Sequence, residues 1–165
     1  MPILGVNQPQ IIVISSELRL RKFDNNFEFA LHWYQDLPTL KLLDNRDKEP
    51  YDLTKVTKMY NYLNNIGELY FIEVKENNRF KPIGDVTFWQ NDMPIVIGEK
   101  SYRGKGIGFK VVKSLIERAK TLGYQQISIR EIYKFNVGSQ KTFEKAGFTK
   151  NKATKNGYSY ILNLA

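Results

Sequence analysis

Cysteine is absent from this 165-residue chain, and histidine occurs once, at His32. The missing thiol excludes disulfides, iron–sulfur clusters, thiolate zinc sites and a cysteine nucleophile. It fits a reducing compartment, and a cytoplasmic protein is expected. No apolar run approaches the roughly 20 residues that a membrane span needs, so no membrane partner is expected. The opening stretch, Met1-Pro2-Ile3-Leu4-Gly5-Val6-Asn7-Gln8-Pro9, has neither a basic residue nor a long apolar core and does not read as a signal peptide. Repeats, low-complexity tracts and Pro/Ser-rich linkers are missing too, and proline stops at Pro94. What remains is 42% hydrophobic and 25% charged, enough chain for one domain with its own core. A single domain over residues 1–165 is therefore expected.

The net charge of +8 is unevenly placed. Residues 24–99 carry eight Lys/Arg against thirteen Asp/Glu, while residues 100–165 carry fourteen against three. A basic half suits a polyanionic partner and an acidic half a cationic one. A nucleic-acid module is the obvious alternative. It is disfavoured because the chain offers no basic helix free of core duty and does not cluster its aromatics with its positive charges.

Ile11-Ile12-Val13-Ile14 and Leu18-Arg19-Leu20-Arg21 read as strand. Asp24 is placed to cap a helix carrying Phe27, Ala30, Leu31 and Tyr34, which Pro38 ends. A second helix runs from Asp52 through Leu63 and stops near Gly67. Leu69–Val74 and Pro82–Trp89 flank the turn Glu76-Asn77-Asn78-Arg79 as a hairpin. Pro94–Gly98 reads as a short strand buried on both faces. Ile107, Val111, Leu115, Ala119 and Leu122 stripe a helix ended by Gly123. Gln126–Arg130 is a strand, Asn136–Ala146 a helix closed by Gly147, and the last strands hold Phe148 and Tyr158–Leu162. The fold class is α+β with a mixed, mostly antiparallel sheet.

Arg103-Gly104-Lys105-Gly106-Ile107-Gly108 lies between an apolar strand and an amphipathic helix. Glycines at alternate positions let backbone approach a ligand, and the helix start offers unpaired N–H groups and a favourable dipole to an anion. Residues 99–120 add seven Lys/Arg against two Glu. Phosphate binding is the direct inference. A dinucleotide fingerprint fails, because residues 104–109 give Gly-x-Gly-x-Gly-Phe, and no P-loop pattern occurs. The pattern that fits, Arg/Gln-x-x-Gly-x-Gly/Ala, resembles the acetyl-CoA signature of the GNAT acetyltransferase superfamily. A second segment, Asn136-Val137-Gly138-Ser139-Gln140-Lys141-Thr142-Phe143-Glu144-Lys145-Ala146-Gly147-Phe148, resembles the later motif of that family. His32-Trp33-Tyr34 to Tyr51 and Ile97-Gly98-Glu99 are similar to the branch containing aminoglycoside 6′-N-acetyltransferases. The ribosomal-protein N-terminal acetyltransferases are nearly as similar.

The resemblance implies a GNAT-like acyl-CoA acyltransferase fold of six to seven strands and about four helices. It implies acetyl-CoA as cosubstrate, with coenzyme A as product, an amine acceptor as partner and no metal. Strand Ile95–Gly98 would splay from Gln126–Arg130 to admit the pantetheine arm, which backbone groups near Val96 and Ile97 would bind. N–H groups from Lys105 through Gly106, Ile107 and Gly108 to Phe109 would hold the pyrophosphate, in the loop that Arg103 and Gly104 open. Asn136 would contact the pantetheine, and Lys141 would reach the outer phosphates. The family often protonates the leaving thiolate with a tyrosine where this chain has Phe143, which has no proton to give. Ser139, one turn earlier on the same face, is a candidate for that role and equally an ordinary first-turn residue. The aminoglycoside branch carries an aspartate where this chain has Pro94. Asp92 nearby and Glu131 after the next strand are the candidate bases, with Asp92 also readable as a solvated loop carboxylate. His32 reads as structural. Asp44, Asp47, Glu49 and Asp52 are expected to form an acidic lip for a cationic acceptor. A monomer or homodimer is expected, and a non-catalytic acyl-CoA sensor is the second reading.

Overall fold

The computed structural model describes residues 2–43 and 49–164. It divides into two compact units, one of Met1–Thr87 with Ile95–Arg103 and the other of Phe88–Pro94 with Gly104–Ala165. Among the described residues there are eight strands, four α-helices and two 3₁₀ segments. The α+β expectation holds, with eight strands where six or seven were expected.

The first unit is built on a five-stranded sheet in chain order: β1 Ile11–Ser15, β2 Leu18–Lys22, β3 Glu68–Glu76, β4 Arg79–Phe88 and β5 Ile95–Ile97. On β2 the period of two is literal. Leu18 and Leu20 are buried, while Arg19 and Arg21 turn to the other face and both reach the buried carboxylate of Glu73 on β3, at 2.8 and 2.9 Å. The β3–β4 hairpin closes through Asn77 and Asn78, whose φ of 52° and 61° give the left-handed pair that a two-residue hairpin turn requires. β5 departs from expectation: Val96 is buried, but Ile95 and Ile97 are half-buried, because the strand is the edge of its sheet.

No single helix runs from Asp24 to Pro38. A 3₁₀ segment occupies Glu28–Tyr34, and α1 is Leu37–Leu43 with Pro38 inside its first turn, where a missing N–H costs nothing. The Asp24 carboxylate instead accepts from the Asn26 N–H at 3.0 Å and pairs with Arg21, a local turn that competes with capping. The second helix is as expected: α2 spans Leu53–Ile66, Asp52 caps it by accepting from the Lys55 N–H at 2.8 Å, and Gly67 follows its end. Such a cap is worth about 1 kcal/mol. The core of this unit gathers Phe23, Trp33, Tyr34, Leu40, Val56, Tyr60, Leu69, Phe71 and Val96. Many of its rings meet edge-on or tilted, as Phe29 on Phe71 at 4.9 Å and Phe23 on Tyr60 at 5.3 Å, while Tyr34 and Tyr51 stack at 5.7 Å.

The second unit carries a three-stranded antiparallel sheet in the order β6 (Gln126–Tyr133), β8 (Gly157–Asn163) and β7 (Thr149–Ala153). Its helices are α3 (Ile107–Thr121) and α4 (Val137–Lys145). Val111, Val112, Leu115, Ile116 and Ala119 bury one face of α3; Ile127, Ile129, Ile132, Phe143, Phe148 and Tyr160 complete the core. Residues 88–94 attach to β6 through the Ser128 N–H, which donates to Gln90 O at 3.0 Å.

Beneath β4 of the first unit lies an ionisable cluster. The Asp85 side chain, 3% exposed, accepts from the hydroxyls of Tyr34 at 2.5 Å and Tyr60 at 2.8 Å, both on Oδ2. Burial pushes the Asp85 carboxyl up to about 6, with the two hydroxyls acting the other way. Because the folded value is raised, the native state holds this proton more tightly than the unfolded chain. The group therefore favours folding at low pH, and that contribution is lost as pH climbs from about 4 through 6, an effect on the order of 3 kcal/mol. Urea unfolding of the protein and of Asp85→Asn at pH 4 and pH 7 should show the variant gaining on the wild type by roughly that amount at the higher pH. An unchanged difference between the two would refute the assignment.

Candidate functional site

In the first unit, β5 pairs antiparallel with β4 so that Gly84 faces Ile97, Asp85 faces Val96 and Val86 faces Ile95. The Gly98 N–H donates to Ile83 O at 2.8 Å, and the Glu99 N–H shares that oxygen at 3.0 Å, a local bulge. By the alternation of antiparallel ladders, the N–H and C=O of Val96 turn toward β4, whereas those of Ile95 and Ile97 turn to the outer edge. Of the two residues expected to offer backbone groups to a ligand, Ile97 and not Val96 is thus the one so aimed. The Ile97 carbonyl is already engaged, accepting from Nε of Arg103 at 2.8 Å. Two glycines permit this layout by close approach. A Cβ on Gly84 would run into the backbone oxygen of Val96, and one on Gly98 into the indole of Trp33.

Around it stand one ion pair and two hydrogen-bonded carboxylates. Asp36 joins Lys100 at 2.9 Å, His32 meets Glu99 at 3.0 Å, and the Tyr102 hydroxyl donates to Glu76. His32 is exposed. Of the expected acidic lip, Asp52 is the cap of α2 and Glu49 is exposed. Asp44 and Asp47 lie outside the described residues.

In the second unit, Gly104 and Gly106 take φ of 73° and 79°, the left-handed values that only glycine reaches without strain, and both stand in open space. Gly106 is the residue before α3, so the N–H groups of Ile107, Gly108 and Phe109 begin the helix with no partner within it. The helix dipole adds to their pull on an anion. Lys105, Lys110 and Lys113 are exposed around this start, and Lys145 sits over the Phe109 ring at 4.3 Å. Gly108 faces Thr142 of α4 at ordinary contact distance.

On α4, Asn136 is the cap: its Oδ1 accepts from the Ser139 N–H at 3.2 Å, leaving the amide NH₂ as donor. Ser139 is half-buried and Lys141 exposed. Phe143 is buried with its ring edge-on to Phe148 at 5.3 Å, a core residue. Gln140, which the sequence reading passed over, donates to the carbonyls of Tyr133 and Lys134 at 2.9 and 2.8 Å and fixes the chain where β6 hands over to α4. The two candidate bases are both engaged with backbone. Asp92 is not a freely solvated loop carboxylate. It accepts from the N–H groups of Met93 at 3.0 Å and Arg130 at 3.3 Å, and desolvation raises its carboxyl above the ordinary range. Glu131 accepts from the Asn156 N–H at 3.1 Å, just before β8.

The chain was compared with known proteins. The model of the acetyltransferase (GNAT) family matches residues 27–148, a span containing both glycine-bearing motifs. The uncharacterized protein MJ1062 of Methanocaldococcus jannaschii is 36% identical over 101 residues, 58% of this chain and 21% of that protein. The chain thus spans about a fifth of the length of that curated relative. The crystal structure of a domain from Methanocaldococcus jannaschii DSM 2661 superposes with a TM-score of 0.76 at 28% identity, covering 91% of this chain and 100% of that one. AAC(6')-Ib in complex with ribostamycin and coenzyme A shares the fold with a TM-score of 0.71 at 17% identity, over 90% of this chain and 94% of that one.

The close approach at Gly84 separates two otherwise similar substitutions. Gly84→Ala forces a methyl against a backbone oxygen and should cost about 1–3 kcal/mol. Gly108→Ala, with room beside Thr142 and a helical backbone, should leave thermal stability level or slightly raised. Thermal melts of the two variants check the contrast, which fails if Gly84→Ala melts with the wild type.

Proposed function

The chain belongs to the acetyltransferase (GNAT) family, and on that premise we propose that residues 1–165 act as one acetyl-CoA-dependent N-acetyltransferase domain that moves an acetyl group directly to a primary amine. The observation that carries the reading is the start of α3. Two left-handed glycines lead into three unpaired helix amides, with exposed lysines nearby in the chain, an arrangement suited to a phosphate-bearing ligand. The same signature stands in a family whose member AAC(6')-Ib is solved with coenzyme A.

In this reading N–H groups from Lys105 to Phe109 hold the pyrophosphate and Lys141 meets the outer phosphates. By the resemblance, the amide NH₂ of Asn136 contacts the pantetheine, a role it also gives to backbone at Ile97. The neutral amine attacks the thioester carbon, the C–N bond forms, and by the same resemblance one backbone N–H stabilises the oxyanion. The C–S bond then breaks; the nitrogen gives up one proton and the sulfur takes one. Ser139, half-buried one turn from Asn136, is the candidate for the second transfer. For the first, Glu131 is the better candidate, half-buried with one oxygen held by the Asn156 N–H. Asp92, whose Oδ1 holds two amides, is the other candidate, acting directly or through water. Holding both substrates in line supplies much of the barrier reduction, so few protein groups are needed.

The acceptor is a primary amine on a small molecule or a protein N-terminus. The acidic balance of residues 24–99 favours a cationic one, although Asp36, Glu73 and Glu99 are already answered by Lys100, by Arg19 with Arg21, and by His32. The protein would work in the cytoplasm as a monomer or homodimer. A second reading, a non-catalytic acyl-CoA sensor, draws on Phe143 and on the backbone commitments of both carboxylates.

Calorimetry with acetyl-CoA and coenzyme A tests the site, and thiol release over a panel of amines separates enzyme from sensor. Gly106→Glu should weaken coenzyme A binding by about tenfold or more, by adding a like charge to the phosphate position and straining the left-handed turn. The open space around Gly106 spares the variant a clash, so its cost to the fold is the strain of the turn itself, which a thermal melt reads separately from binding. A wild-type protein that binds no coenzyme A, or a Gly106→Glu variant that binds it equally well, overturns the proposal.

A further inference from the structure

The guanidinium of Arg103 spans two distant parts of one unit. Its Nε donates to the carbonyl of Ile97 at 2.8 Å, and its Nη2 donates to Oγ1 of Thr39, at 3.0 Å and 64 positions away in the chain. Thr39 is itself fixed. Its N–H reaches Oδ2 of Asp36 at 3.1 Å, and its hydroxyl gives its one hydrogen to the same oxygen at 2.5 Å. The hydroxyl is then left with lone pairs only, which is what the Arg103 N–H needs. Oδ1 of Asp36 pairs with Lys100 at 2.9 Å. The Thr39 bond, followed by Lys100, lowers the Asp36 carboxyl to about 2, so the anchor stays ionised across the neutral range. Thr39 is buried and Arg103 half-buried, so these are not loose surface contacts.

The other end of the span is equally defined. The peptide between Ile97 and Gly98 has its C=O held by Arg103 and its N–H held by Ile83 O at 2.8 Å. Arg103 therefore ties the orientation of one peptide at the end of β5 to the first turn of α1. A planar fork with several fixed N–H donors can make both bonds at once; a lysine ammonium on a flexible stem reproduces neither the plane nor the reach. Two of its five N–H donors are thus engaged inside the unit, while exposed lysines flank the start of α3.

Resting on the acetyltransferase reading, we propose that Arg103 is a positioning residue: it sets the β5 edge peptide against α1 and is not a ligand of the cofactor's phosphates. Its removal then disturbs the alignment of the acetyl group and amine more than the affinity for coenzyme A.

Three variants separate the possibilities. Arg103→Lys keeps the charge and loses the fork, Arg103→Gln loses the charge and keeps N–H donors, and Thr39→Val removes only the distal acceptor. Each is read by coenzyme A affinity at two salt concentrations and by kcat and amine KM in thiol release. Positioning predicts coenzyme A Kd within about threefold of wild type in all three, with unchanged salt dependence. It also predicts kcat lowered about tenfold or more in Arg103→Lys, with a smaller loss of the same kind in Thr39→Val that Thr39→Ser restores. The proposal is overturned if Arg103→Gln loses coenzyme A affinity and salt dependence while Arg103→Lys retains both, the mark of a phosphate ligand. It is equally overturned if kcat and amine KM stay at wild-type values in Arg103→Lys and Thr39→Val. Wild-type protein that binds no coenzyme A sinks the acetyltransferase reading instead, a separate outcome. Urea unfolding of Arg103→Lys, Thr39→Val and the double variant adds a readout independent of activity: losses that simply sum deny the two residues any coupling.

Discussion

The peptide joining Ile97 to Gly98 is held at both ends, by Arg103 on its oxygen and by Ile83 on its nitrogen. Much of the first unit is arranged so that this can happen. Gly84 and Gly98 lack the Cβ atoms that would push β5 off β4 or lift Trp33 from the strand end. Trp33 is buried over Gly98 by the 3₁₀ segment, and that segment leads through Asp36 into α1, whose Thr39 receives the second arm of Arg103. The edge strand is three residues long, too short to hold itself straight by pairing on one side alone. Its definition comes from side chains and close contacts on the other.

Which parts were legible in the sequence follows from how local their causes are. The glycine turn and α3, the helix starting at Asn136, the helix starting at Asp52, and the asparagine hairpin each depend on residues within one turn of each other, and each stands where the pattern put it. Pro38 misled because proline ends a helix only when it falls in the interior; in a first turn it is compatible. Asp36-Leu37-Pro38-Thr39 carried the signal for that start, an acid three residues ahead of a residue able to donate to it. The engagement of Arg103 with Thr39 had no such signal, since a contact across 64 positions leaves no periodicity to read. Asp85 was equally silent: a single acid in an apolar strand reads as an interruption until Tyr34 and Tyr60 are seen to converge on it.

The uneven charge of the sequence takes different forms in the two units. In the first, carboxylates are largely answered from within: Glu73 by two arginines, Asp36 by Lys100, Glu99 by His32, Asp85 by two hydroxyls. In the second, Lys105, Lys110, Lys113 and Lys141 remain at the surface. Excess positive charge left in water keeps its long-range field, whereas charge paired indoors serves geometry. The formal charge of +8 thus overstates how alike the halves are and understates how differently their charges act.

β7 closes one side of the three-stranded sheet, and every residue from Thr149 to Ala153 is exposed. A bare strand flank is ordinarily an invitation to templated stacking between copies. Here Lys150 and Lys152 stand at alternate positions, with Lys150 steadied over the Tyr158 ring at 4.6 Å. Two copies approaching flank to flank would bring the ammonium groups of Lys150 and Lys152 together with their like, so this border of the sheet carries its own repulsion against aggregation.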